Sequence, residues 1–372
     1  MGRSILTLVC LFVISAVGHT DEISLEHKLL QSVTNSFIKP AHQVLAKSTE
    51  MLEQNSRQFC QNINQLNYSS VQQSWFSAMN AWSAIAPINF GPIDDSNATW
   101  RFQFWPDQIN LVHRKFKSRI QGRNQAILAK DLAQASVAIQ GLSALEYLLF
   151  DEAGTLAAYQ SKPHLCTILI ATSENLHANA AVLTASWVND YPQRWFNLAT
   201  QSSKSDYLKR QVETVFSGLV MALGNITNQK LGKALGYKKN NDKKSKQVDE
   251  TKSAKLNPWL LESWRSETSL KNIHSTLKSG HILYTTKQGL SDYLVAKGKK
   301  YQSLDQEIRE LFQANTHLVK TIEISAFQNL KNNMSGQLEL LHKNVHRLYR
   351  LLKIDYAKAA NILFRFNAHD GD

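Results

Sequence analysis

Leu132-Ala-Gln-Ala-Ser-Val-Ala-Ile-Gln-Gly-Leu-Ser-Ala-Leu-Glu-Tyr-Leu-Leu-Phe150 is the most apolar stretch of the chain beyond its N-terminus. Leu132, Val137, Ile139, Leu142, Leu145, Leu148 and Leu149 recur at helical spacing and wrap more than one face. This pattern predicts one helix over 132–150, buried inside a bundle. A single carboxylate, Glu146, interrupts it. An isolated charge is costly to bury, so Glu146 must be paired, hydrogen-bonded, metal-bound or protonated. Ser143, Glu146 and Tyr147 lie at i, i+3 and i+4 and share a helix face.

The 372 residues are 43% hydrophobic, with 15 Gly and 7 Pro, which supports a large helical core rather than a turn-rich β fold. The formal charge of +12 raises the question of nucleic acid. Residues 238–255 hold seven lysines against Asp242, Asp249 and Glu250, a net of +4. That stretch reads as a solvated, mobile insertion, the remaining charge is spread along helices, and no nucleic-acid-binding motif is present. Arg3, the apolar run from Ile5 to Val17 and the small residues around Ala16 and Gly18 predict a signal peptide over 1–20. The mature protein is then expected in an extracytoplasmic compartment. Lipidation at Cys10 is the lesser reading because Val9 stands where a small residue is expected. Of the remaining cysteines, Cys60 and Cys166, two readings stay open: one disulfide, or two buried thiols in apolar helices.

Helical patterns run over 23–64, with Pro40 as a break or restart, and from a Tyr68-Ser-Ser start to about Ala86. Val71, Trp75, Met79 and Trp82 form a core stripe on the second of these. Pro106 suits the first turn of a helix reaching about Arg119, with Asp107 at its positive end. Further helices are expected at 162–188, 205–231, 270–297, 303–316 and from 337 to 351. The break at Asn189-Asp-Tyr-Pro192 and the polar run from Thr200 to Ser205 divide the chain into an N-terminal bundle over 21–200 and a C-terminal one over 201–372.

Gly141-Leu-Ser-Ala-Leu-Glu146 resembles the Gly-x-His-x-x-Glu signature of the imelysin-like proteins, with Ser143 in place of the His. Phe90-Gly-Pro92, Phe104-Trp-Pro-Asp107, Lys230-Leu-Gly-Lys-Ala-Leu-Gly236, Glu262-Ser-Trp-Arg-Ser266 and the closing Phe364-Arg-Phe-Asn-Ala-His-Asp-Gly-Asp372 follow in the same order, together with Trp75 and Trp82. The resemblance spans the mature chain. It implies an all-α fold of two tandem four-helix-type bundles packed around an inter-domain cleft. It further implies a periplasmic protein of iron uptake that binds a metal ion, iron or zinc, or another polar ligand in that cleft, with an outer-membrane or iron-transport partner.

The cleft residues are then expected to be Ser143, Glu146, Trp82, Trp105, Glu262, Arg265 and Ser266, with Glu146 as the metal ligand. Under the purely structural reading, Glu146 pairs with Arg265, while Glu262 and Ser266 cap a helix. Asp370 and Asp372 beside His369 could add oxygen ligands, although a terminal acidic cluster is more often solvated. A metallopeptidase is the alternative, because peptidase activity has been proposed for the family. It needs a metal with an open position and a general base. Ser143 weakens that reading, since a hydroxyl is a poor ligand for zinc or iron, and His-Glu-x-x-His is absent. His342 and His346 share a helix face and are expected at the surface. A third reading is a non-catalytic structural or partner-binding protein.

Overall fold

In the computed structural model the described residues are 23–95, 98–107, 109–121, 128–197, 204–238, 251–252 and 255–364. The expected signal peptide, most of the lysine-rich stretch, and His369, Asp370 and Asp372 lie outside them. The longer helices are α1 (Leu25–Val33), α2 (Lys39–Gln61), α3 (Gln65–Ala84), α4 (Leu111–Gln121), α5 (Gly141–Phe150), α6 (His164–Ala185), α7 (Lys204–Asn225), α8 (Ser269–Thr285), α9 (Gln302–Thr321) and α10 (Gly336–Arg350). Among the described residues the only strands are two-residue pieces that pair Tyr237 with Lys252 and Lys238 with Thr251.

The fold is all-α and built as helical bundles. In the first, α2 packs on α3 and α6, and α5 lies against α3 and α6. In the second, α8 packs on α7 and α9, and α10 on α7 and α9. Each interior follows from residue spacing. Leu45, Leu52 and Phe59 recur every seven residues on α2 and are fully buried, and Leu270, Ile273, Leu277 and Tyr284 do the same work on α8. The bundles meet where α3 lies along α8. There Thr276 Oγ1 donates to the Ser83 carbonyl at 3.0 Å and Ser275 Oγ to Asn80 Oδ1 at 3.3 Å.

Several local expectations are corrected. Pro40 does not break the first helix; a π turn over Thr34–Ile38 carries the chain from α1 into α2, and Pro40 sits in the first turn of α2, where its missing N–H matters little. α1 packs on α7 of the second bundle, and Tyr293 Oη donates to Glu26 Oε1 at 2.9 Å. The N-cap of α3 is Asn64, whose Oδ1 accepts from the Asn67 N–H at 2.9 Å, rather than the Tyr68-Ser-Ser triplet. Pro192 likewise falls inside a short helix, Tyr191–Asn197, entered through a π turn. His342 is buried and stacks on Tyr237 at 4.3 Å, so the His342–His346 pair is not a surface pair. Cys60 and Cys166 form a disulfide that ties the end of α2 to the start of α6.

Candidate functional site

The helix expected over 132–150 divides into a turn of helix at Ala129–Ala133, a 3-10 turn at Val137–Ile139, and α5 itself. The reason is Gly141. Its φ of +67° is one that residues with a Cβ rarely adopt, and a Cβ there would lie 2.3 Å from the Phe102 carbonyl oxygen. Only glycine lets residues 101–102 press this close, so α5 starts at Gly141 and every residue from 141 to 149 is buried. The same contact brings the segment 103–107 across the face that carries Ser143 and Glu146.

The segment is held by its own side chains. Trp82 stacks on Phe102 at 4.7 Å and donates through Nε1 to Gln103 Oε1 at 2.7 Å. Gln103 Nε2 in turn donates to Glu262 Oε1 at 3.2 Å, crossing between bundles. Pro106 follows a cis peptide bond and starts no helix. Asp107 is instead the anion at the start of α4, accepting from the N–H groups of Leu111 at 2.6 Å and Val112 at 3.0 Å.

From the second bundle comes the loop 261–268, which enters α8. Ser263 and Glu267 adopt positive φ values of 52° and 56°, conformations that non-glycine residues hold only when their surroundings enforce them. Here the Glu267 carboxylate accepts from Ser325 Oγ and Gln328 Nε2, both at 2.6 Å. The loop's shape turns the backbone of Ser266 toward α5.

Glu146, 5% exposed, meets that loop. Its Oε1 accepts from both the N–H and the Oγ of Ser266, each at 2.9 Å. Among the described residues no hydrogen bond reaches Oε2. Burial pushes the Glu146 carboxyl above the usual carboxylate range, opposed by the Ser266 N–H, the Arg265 guanidinium and the Ser266 hydroxyl, while Glu262 adds to the rise.

Arg265 is therefore not the partner of Glu146. Its Nε donates to Asp151 Oδ2 at 2.8 Å and its terminal nitrogen to Asn110 Oδ1 at 2.9 Å. The guanidinium lies 4.3 Å from the Trp264 ring centroid and 5.4 Å from that of Tyr147. Asp151 closes α5 one turn beyond Tyr147 and is better placed for the guanidinium. Glu262 is not a cap either: Lys230 Nζ lies 2.7 Å from its Oε2 and Asn272 Nδ2 donates to the same oxygen at 3.0 Å, a buried ion pair. Ser143 Oγ donates to the Phe104 carbonyl at 3.0 Å.

All seven expected residues thus gather at the seam. Ser143, Glu146, Trp105 and Arg265 line one cavity of about 20 Å³ together with Gln103, Asp107, Ser263, Trp259 and Trp264. That volume holds about one water-sized particle. Trp82 reaches the site through Gln103, and Glu262 and Ser266 through their hydrogen bonds. Sequence reading overlooked Gln103, Asn110, Asp151 and Lys230 as members. Lys230, Asp151 and Gln103 lie in or beside motifs already singled out, while Asn110 carries no sequence signal.

A resident zinc or ferrous ion needs softer ligands than these. The cavity offers oxygens, Ser143 stands where an imidazole would be required, and among the described residues no group of three or more His, Cys, Asp or Glu is placed to hold a metal. Among the described residues no helix is long and apolar enough to cross a membrane.

Comparison with known proteins identifies the family. The Imelysin family model matches residues 38–352. The crystal structure of an imelysin-like protein from Psychrobacter arcticum 273-4 superposes with a TM-score of 0.74 at 19% identity, covering 93% of this chain and 99% of the other. That of a putative iron-regulated protein A precursor from Parabacteroides distasonis ATCC 8503 gives 0.68 at 13% identity, covering 92% and 97%. At these identities the likeness is one of fold. No curated protein matches the chain.

Proposed function

We infer that this chain, which belongs to the imelysin family, is a binding protein rather than a peptidase, and that it takes a compact cation at Glu146 between its two bundles. One observation carries the reading: the Glu146 carboxylate, held through Oε1 by two donors of Ser266 and with no further hydrogen bond among the described residues, lines a water-sized cavity. A carboxylate that lines a cavity with one oxygen unbonded has room for one more partner, and a cation can supply it. The surrounding charge favours this. Asp107, Asp151 and Glu262 join Glu146 as carboxylates around the seam, against Arg265 and Lys230 as cations.

The side-chain donors at the cavity, Glu146 with Ser143, Ser263 and Asp107, are oxygens, which suit a hard cation carried as cargo better than a zinc or ferrous centre held for catalysis. A metallopeptidase also needs room for a peptide beside the metal, and about 20 Å³ leaves none. Service in iron acquisition, in the periplasm and beside a transport partner, is the setting we propose for this binding. It is supported by the iron-regulated protein of the same fold.

The test is a thermal-shift titration of chelator-stripped protein with ferric, ferrous, zinc, calcium and ammonium ions and with haem, run beside Glu146→Gln. The reading expects one small cation to raise the melting temperature of the wild type and not of the variant, by linkage of binding to folding. Equal response of both proteins to every cation would overturn it, as would chelator-sensitive cleavage of an unfolded protein substrate.

A further inference from the structure

On the far side of the first bundle, α2, α6 and the short helix Ala129–Ala133 enclose an open groove of about 720 Å³. Cys60 and Cys166 line it together with Ile170 and Ala171, and Arg57, Lys130 and Glu174 are its charged lining residues. Both half-cystines are only half-buried. Structural disulfides are ordinarily sealed in a core, whereas accessible ones exchange with thiols. The helices this one joins, α2 and α6, also pack on each other along their length and bury Leu45, Leu52 and Phe59 on one side and Leu165, Leu169 and Leu176 on the other.

We propose that the Cys60–Cys166 disulfide is a thiol–disulfide exchange site, opened by a dithiol that enters this groove. The thiolate of the dithiol attacks one Sγ along the S–S axis, a mixed disulfide forms, and the other cysteine leaves as a thiolate that takes up a proton. The second thiol of the reagent then attacks the mixed disulfide and releases the remaining cysteine. Two electrons and two protons pass from the dithiol to the protein, and the reagent leaves as its own disulfide. The charged lining serves both stages. Arg57 is engaged by Glu53 and Glu174, each at 3.0 Å, and exposed Lys130 supplies the positive field that draws the attacking thiolate and steadies the departing one. The disulfide lies outside the seam between bundles, so the exchange is independent of ligand binding at Glu146.

The experiment uses the folded full chain, dithiothreitol over a range of concentrations, and alkylation with mass measurement to count released thiols. We expect reduction at a rate proportional to dithiothreitol and unchanged by urea below the unfolding transition. Lys130→Glu is expected to slow it by about threefold, as unfavourable charge beside a thiolate does. A rate that levels off with dithiothreitol and climbs with urea would mean that the disulfide opens only through unfolding, and would overturn the proposal. Equal rates in wild type and Lys130→Glu would overturn the part assigned to the lysine.

Discussion

Glu146 on α5 and Ser266 in the loop before α8 are 120 residues apart, and Glu146 Oε1 accepts both hydrogens that Ser266 can donate. This contact joins a helix buried in one bundle to the backbone of the other, so its two parts should be energetically coupled. Ser266→Ala removes the hydroxyl donor and leaves the N–H; it is expected to cost about 1.5–3 kcal/mol, as loss of a hydrogen bond to a charged group does. In a Glu146→Ala background the same change should cost almost nothing, because its acceptor is gone. Urea unfolding of the four proteins measures the cycle, and additive costs would refute the coupling.

Because burial raises the Glu146 carboxyl, the folded protein holds this proton more tightly than the unfolded chain. The sign follows: below the ordinary carboxylate range both states are protonated and there is no penalty. As pH climbs past that range the unfolded chain ionises first, and the fold loses stability until Glu146 itself ionises. Compared with Glu146→Gln, the wild type should therefore lose stability as pH rises through this window. Parallel urea midpoints for the two proteins at every pH would show that the carboxyl is not perturbed.

His42 should act in the opposite direction. Its ring is fully buried, with Nδ1 hydrogen-bonded to the Ile38 carbonyl at 2.8 Å, and desolvation lowers its pKa from 6.5 to about 4, against the smaller effect of that bond. A depressed histidine contributes stability above 6.5 that is lost as pH falls toward 4. The linked loss is on the order of 3 kcal/mol once the pH is below both values. His42→Gln should flatten the acid limb of the stability profile between pH 6.5 and 4, which guanidinium titrations at stepped pH will detect.

Gly141 sets the start of α5 and the approach of residues 101–102. Gly141→Ala places a methyl against the backbone of Phe102 at a φ of +67°, where no side chain can swing aside. We expect a loss of more than about 2 kcal/mol from the strained backbone together with the clash, measured as a lowered urea midpoint. It should be accompanied by a weaker response to the cation identified above, since Ser143 and Glu146 ride on the same helix. A midpoint within error of the wild type would show that the close approach is dispensable.

Much of this protein is written in local sequence. Helical periodicity along α2, α3 and α8, the buried character of 141–149 and the isolation of Glu146 in that run all follow from residue spacing, because an amphipathic helix needs only its own neighbours to declare its inner face. The ordered motifs from Phe90 to Ser266 carried the family. What they could not carry was partnership. Arg265 was the natural counterion for Glu146 by charge, yet it lies on Asp151 and Asn110, while Ser266, uncharged, holds the carboxylate. That choice depends on the left-handed turns at Ser263 and Glu267 and on the bare Cα of Gly141, which set the distance between bundles. The pairing of Cys60 with Cys166 was likewise decided by which helices lie side by side. Spacing along the chain selects helices and their buried faces, and only packing between bundles determines which polar groups come within hydrogen-bonding reach.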